Sequence, residues 1–181
     1  MTIPRELTIA QMNGAYYLQS FPVKELAAIE EKGITENNLT GADKKLQGPV
    51  KLRFVLRAIE NFSVTLLNTK GEKWIAGYDK NTDQYYIDRT ASGKINFEKR
   101  FAGKIFSKRI STDSVMDITL LIDDASIEFF ADKGTNTLTS IFFPNEKYSA
   151  VKIEGGNQFR IDSLAFTPLK SIWIKNSGSE K

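Results

Sequence analysis

The stretch VKLRFVLRAI at residues 50–59 constrains the fold more than any other part of the chain. Val50, Leu52, Phe54, Leu56 and Ala58 fall on one face, while Lys51, Arg53 and Arg57 fall on the other. A period of two is the signature of a strand with one face in an apolar interior and one toward solvent. Similar short runs recur at 5–11, 15–21, 62–68, 72–79, 84–89, 116–123, 126–132, 136–143, 149–154 and 158–166. Turn chemistry separates them: Asn13-Gly14, Lys70-Gly71, Asp123-Asp124, Asp132-Lys133-Gly134, Pro144-Asn145 and Gly155-Gly156. Asn-Gly between two such runs demands positive φ at both central residues and so predicts a hairpin. One short helix is expected over 22–32, with Pro22 in its first turn and Gly33 as its stop, and the polar stretch 34–48 reads as loop. With room for only one helix, helical crossovers are excluded. The pattern predicts an all-β fold, a two-sheet antiparallel β-sandwich of the jelly-roll, concanavalin-like kind.

At 181 residues, the length suits one sandwich domain, placed here at 1–175, with the polar residues 176–181 as a disordered tail. No apolar run approaches the ~18 residues of a membrane helix, so no membrane is expected as a partner. The first residues are charged where a signal peptide needs an apolar core. The 25 basic and 22 acidic residues leave a net charge of +3, and the basic residues are scattered rather than gathered into a stripe, so nucleic acid is not expected either.

Two absences bear on chemistry. The chain contains neither histidine nor cysteine. Ser/His/Asp and Cys/His catalysis, thiolate and imidazole metal sites and disulfides are therefore excluded. Asp79-Lys80-Asn81-Thr82-Asp83 begins like a calcium loop, but Gln84 stands where glycine should turn the chain and Thr90 where the bidentate glutamate should be. A hairpin turn is the better reading. Asp123, Asp124 and Glu128 form the densest acidic cluster, and paired carboxylates are the tools of glycoside hydrolysis. Asp at a strand junction is equally explained by bonding to its own backbone, and Glu128 by an outward strand position. Trp74, Tyr78, Tyr85 and Tyr86 gather in one hairpin, where aromatics serve either as core or as a platform for sugar rings. The expected site inventory is therefore empty: no catalytic, cofactor-binding or metal-binding residue, and no cofactor.

Four segments carry a family resemblance: MTIPRELT at 1–8, YIDRTASG at 86–93, DITLLIDDASIEFFADKG at 117–134 with LTSIFFP at 138–144, and LAFTPLKSIW at 164–173. In this order they resemble the C-terminal domain of family 32 glycoside hydrolases, the invertases, levanases, inulinases and fructanases. Asp124 and Ala125 depart from the family's usual basic residue and second serine. The family's catalysis resides in an N-terminal five-bladed propeller, in Trp-Met-Asn-Asp-Pro, Arg-Asp-Pro and Glu-Cys-Pro motifs. None of these occurs here, so Asp123, Asp124 and Glu128 inherit no catalytic role. The resemblance implies a non-catalytic β-sandwich module that supports the fold or assembly of its own propeller, absent from this chain. It further implies a parent hydrolase of β-fructosyl linkages, secreted or periplasmic. A module that holds fructan on an aromatic platform of Trp74 and Tyr85 is the alternative, and a homodimer stays open.

Overall fold

A computed structural model describes residues 3–12 and 14–171. Fourteen strands and one short 3-10 turn make up the described chain. Arg5–Met12 (β1) and Ala15–Pro22 (β2) form a separate two-stranded hairpin. Ile34–Leu39 (β3), Val50–Leu56 (β5), Met116–Ile122 (β10), Ser126–Ala131 (β11), Asn136–Ile141 (β12) and Ile161–Pro168 (β14) form sheet I, ordered β12-β11-β10-β5-β14-β3. Ala42–Lys45 (β4), Phe62–Leu67 (β6), Lys73–Asp79 (β7), Gln84–Ala91 (β8), Lys104–Lys108 (β9) and Ala150–Gly155 (β13) form sheet II, ordered β4-β13-β6-β7-β8-β9. All neighbours pair antiparallel.

The two sheets pack face to face, as the alternation predicts. Val50, Leu52, Phe54 and Leu56 are buried together with Met116, Ile118 and Leu120 from sheet I, against Phe62, Val64, Leu66, Ala76 and Ile87 from sheet II. Rings fill the middle of this interior. Phe54 meets Phe62 edge-on at 5.5 Å, Tyr78 lies 5.2 Å from Tyr85, and Tyr85 lies 5.5 Å from Phe129. Trp74 closes one end beside Phe142 and donates its indole N–H to Ser140 Oγ at 3.1 Å. A polar handle on a buried ring needs a partner, and here it has one.

Three sequence expectations need correction. The stretch 34–48 is not loop but supplies strands β3 and β4. Both lie at sheet edges, where backbone pairing to a single neighbour suffices and a polar sequence is tolerated. Strand β9, in a region with no strand predicted, is a third edge. The helix expected over 22–32 contracts to a 3-10 turn at Lys24–Ile29. Pro22 belongs to β2, and the chain after the turn is pulled straight by pairing with the end of β14: Glu31 N–H donates to Pro168 O, and Lys170 N–H donates to Ile29 O. Residues 176–181, Asn13 and part of the segment 164–173 lie outside the described residues.

The interior also holds one ion pair. Arg109 Nε donates to Asp132 Oδ2 at 2.8 Å, both side chains are 2% exposed, and Tyr85 Oη donates to the same oxygen at 2.8 Å. Arg109 Nη2 also donates to Asp132 Oδ1 and to the Asp113 carbonyl. Burial, then the negative charge of Asp132, pushes the Tyr85 phenol well above its ordinary range, so it stays a donor. This network ties the β11–β12 corner to the segment following β9. Removing one partner of such a buried pair strands the other charge, at a cost of about 3–5 kcal/mol. Asp132→Asn is therefore expected to lower the urea midpoint sharply, whereas Tyr85→Phe, which leaves the ion pair intact, should cost about 1–2 kcal/mol. Equilibrium unfolding of the two variants checks the ordering, and equal losses would contradict it.

Candidate functional site

The β1–β2 hairpin lies across the outward side of sheet I. It meets outward residues of β11 and β12. Glu128 is buried although its side chain points away from the sandwich interior. Glu128 is the centre of the contact. Arg5 Nε and Nη2 both donate to Glu128 Oε2, Nη2 also to Thr139 Oγ1, and the Ile3 N–H donates to Glu128 Oε1 at 2.6 Å. The Arg5 guanidinium sits 5.1 Å from the centroid of Phe130, whose other neighbour is Phe21 at 5.8 Å. At the far end Ser20 N–H donates to Gly134 O at 2.9 Å. Gly134 has φ +78°, and a Cβ there would stand 2.4 Å from Ser20 O, so glycine is required twice over, for conformation and for space.

Beyond Arg5 itself, the face that Arg5 shares with Leu7 and Ile9 is bare. Ile9 pairs with Leu18, Leu7 stands one pair along, and Tyr16 faces Gln11. Leu7, Ile9, Tyr16 and Leu18 are 60%, 73%, 73% and 59% exposed, four large apolar side chains on one surface. A contiguous apolar face of this kind marks an interaction surface. The sequence carried part of the signal, since Leu7, Ile9, Tyr16 and Leu18 fall on one face of the 5–22 hairpin.

The acidic cluster is not assembled as a pair. Glu128 is held by the hairpin. Asp124 pairs with Lys147 and Asp123 Oδ1 accepts the Asp124 N–H, closing the turn between β10 and β11. Asp79 Oδ1 accepts the Asn81 N–H and Asp83 takes φ +54°, so the calcium-like loop is the β7–β8 hairpin turn. Among the described residues no group of three or more acidic side chains is placed to hold a metal ion. The aromatic platform is corrected too. Trp74 and Tyr85 are 0% exposed and belong to the core, because they occupy the inward positions of β7 and β8. Of the four aromatics Tyr86 alone is turned outward, by the same alternation.

The chain matches the family description "Glycosyl hydrolases family 32 C terminal" over residues 23–168. It is similar to the levanase of Bacillus subtilis (strain 168), 24% identical over an alignment of 185 positions that covers 95% of this chain and 27% of that protein. It is also similar to the extracellular exo-inulinase of Aspergillus ficuum, 28% identical over 80% of this chain and 29% of the relative. The crystal structure of exo-inulinase from Aspergillus awamori superposes with a TM-score of 0.83 at 22% identity, covering 95% of this chain and 36% of that one. The β-fructofuranosidase of Schwanniomyces occidentalis gives 0.76 at 17% identity, covering 94% and 40%. The chain thus spans less than half the length of each relative. With two antiparallel sheets packed as in these structures and a family match across most of its length, the chain belongs to glycosyl hydrolase family 32 and represents its C-terminal domain.

Proposed function

We propose that this chain is a non-catalytic accessory module of a secreted β-fructosidase, and that the bare face of its β1–β2 hairpin seats the N-terminal catalytic domain of the same polypeptide. The observation that carries the reading is the row Leu7, Ile9, Tyr16 and Leu18, more than half exposed each. The hairpin precedes residue 23, where the family match starts, and so stands on the side of the module from which a preceding domain would enter. The levanase and exo-inulinase relatives are several times longer than the region they share with it, which leaves length for such a domain. The names of those relatives support levan- or inulin-type fructans as the substrate of the parent and a secreted location.

The clasp between Arg5 and Glu128 then has a definite task. An isolated two-stranded hairpin is marginal in water, so it must be fixed to sheet I to present a stable surface. Glu128 carries this anchor with three donors on two oxygens.

The reading is tested by extending the coding frame upstream of Met1 and, where a catalytic domain is encoded there, expressing the two pieces separately and measuring their association. The triple variant Leu7→Ser, Ile9→Ser, Leu18→Ser is expected to abolish co-purification while leaving the thermal midpoint of the module nearly unchanged, since the altered side chains touch little within it. A stop codon upstream, or association undiminished in the variant, would contradict the reading. Glu128→Gln should weaken association in a second way, by loosening the hairpin. Hydrogen exchange of β1 and β2 amides is expected to quicken on the scale of about 1–3 kcal/mol of lost local stability, with sheet II amides unaffected.

A further inference from the structure

The outward side of sheet II carries a transverse row that the hairpin does not cover. Read along the pairing register, Glu154 on β13 stands opposite Ser63 on β6, Ser63 opposite Gly77 on β7, Gly77 opposite Tyr86 on β8, and Tyr86 opposite Phe106 on β9. Five strands at ~4.8 Å spacing give a row about 19 Å long. It lies in an open trough of about 500 Å³, within the ~300–1,000 Å³ range of small-molecule sites. The middle of the row is bare backbone. A Cβ on Gly77 would stand 2.2 Å from Phe62 O, 2.8 Å from Tyr86 Oη and 2.9 Å from Tyr86 Cζ. The Tyr86 ring therefore lies down across Gly77 instead of standing in solvent, and Phe106, 56% exposed, extends the apolar strip to the sheet edge.

The polar groups around this strip are of mixed sign. Asp79 and Glu154 bring carboxylates, Asn61 an amide, and Lys104 an ammonium that sits 3.1 Å from Asp88 Oδ2. Glu154 has no ion-pair partner among the described residues. Two carboxylates beside the strip repel an anion, while the one ammonium of the lining, Lys104, is already paired with Asp88. The rings offer an apolar face to lie on and the carboxylate oxygens accept hydroxyls, the recognition pattern of a neutral polyol.

We propose that the trough formed by Glu154, Ser63, Gly77, Tyr86 and Phe106 is a binding site for a neutral oligosaccharide, with Tyr86 and Phe106 as the stacking surface and Glu154 and Asp79 as acceptors for its hydroxyls. The class of ligand follows from the trough itself and is independent of the hairpin's docking role. The choice of fructans as first probe rests on the family-level reading. Burial also pushes the Tyr86 phenol above its ordinary range, so at neutral pH it offers a hydrogen as well as a ring face.

The test is an amide-shift titration of this chain with inulin-type and levan-type fructo-oligosaccharides, with cello-oligosaccharides and with spermidine. Saturable shifts are expected at Gly77, Tyr86 and Phe106 with a neutral sugar. Phe106→Ala and Tyr86→Ala should each weaken binding about three- to tenfold, the range for loss of one aromatic contact surface. Phe106 is exposed on an edge strand, so its replacement leaves the fold intact and keeps the test valid should Tyr86→Ala unfold. Binding of cello-oligosaccharides but not fructans would uphold the site and count against a fructan-degrading parent. No shift with any sugar at tens of millimolar, an unchanged affinity in Phe106→Ala, or shifts with spermidine alone would each overturn the proposal.

Discussion

Two-residue periodicity is the constraint from which the rest of this structure follows. It commits one face of every central strand to the sandwich interior, where Trp74, Tyr85, Phe54 and Phe129 are fully buried. That burial is the main favourable term available to a chain without disulfides. The same alternation fixes what points outward, and so determines which surfaces remain to be covered or used. Sheet I turns out Glu128 and Phe130, and Arg5 and Phe21 of the hairpin cover them. Sheet II turns out Ser63, Gly77 and Tyr86, which face an open trough. The two sheets share an interior and differ in what their outer faces present.

Much of this was legible in the residues. Strands with an apolar inner face announced themselves: β5, β6, β10 and β11 fall within a residue or so of the ends read from alternation, except that β5 stops at Leu56, short of Ala58. The missed strands β3, β4 and β9 are all edges. Their sequences, such as Thr35-Glu36-Asn37-Asn38 or Lys44-Lys45, carry no apolar period because they bury little. What holds them is backbone pairing to β14, β13 and β8, a long-range property that no local pattern records. Polar and charged residues on an edge also discourage pairing with other molecules.

The candidate sites were harder to place, for a related reason. Period two says that Tyr85 and Tyr86 face opposite ways but not which of them faces in. Only the register against β7 and β9 decides it, and that register leaves Trp74 and Tyr85 in the core and Tyr86 outside. Glu128 shows the complementary difficulty. Its outward position was readable from Ile127 and Phe129 on either side, but its burial depends on Arg5, 123 residues away in sequence. A charged residue on an outward position between buried aromatics is a cue to look for a partner, because an uncompensated carboxylate there would be costly.

The hairpin's two faces bear most directly on function. If β1 and β2 were merely part of the sandwich, backbone pairing to an edge of sheet I would be the ordinary way to attach them. They form instead a separate two-stranded sheet, laid on the outer surface and held by the Glu128 anchor, the Phe21–Phe130 contact and the Ser20–Gly134 hydrogen bond. Beyond Arg5, the face that Arg5 belongs to is left free, and it holds Leu7, Ile9, Leu18 and Tyr16. Covering Phe130 while exposing four large apolar side chains gains little hydrophobic stabilisation in isolation. With sheet I beneath it, the hairpin leaves this apolar row uncovered.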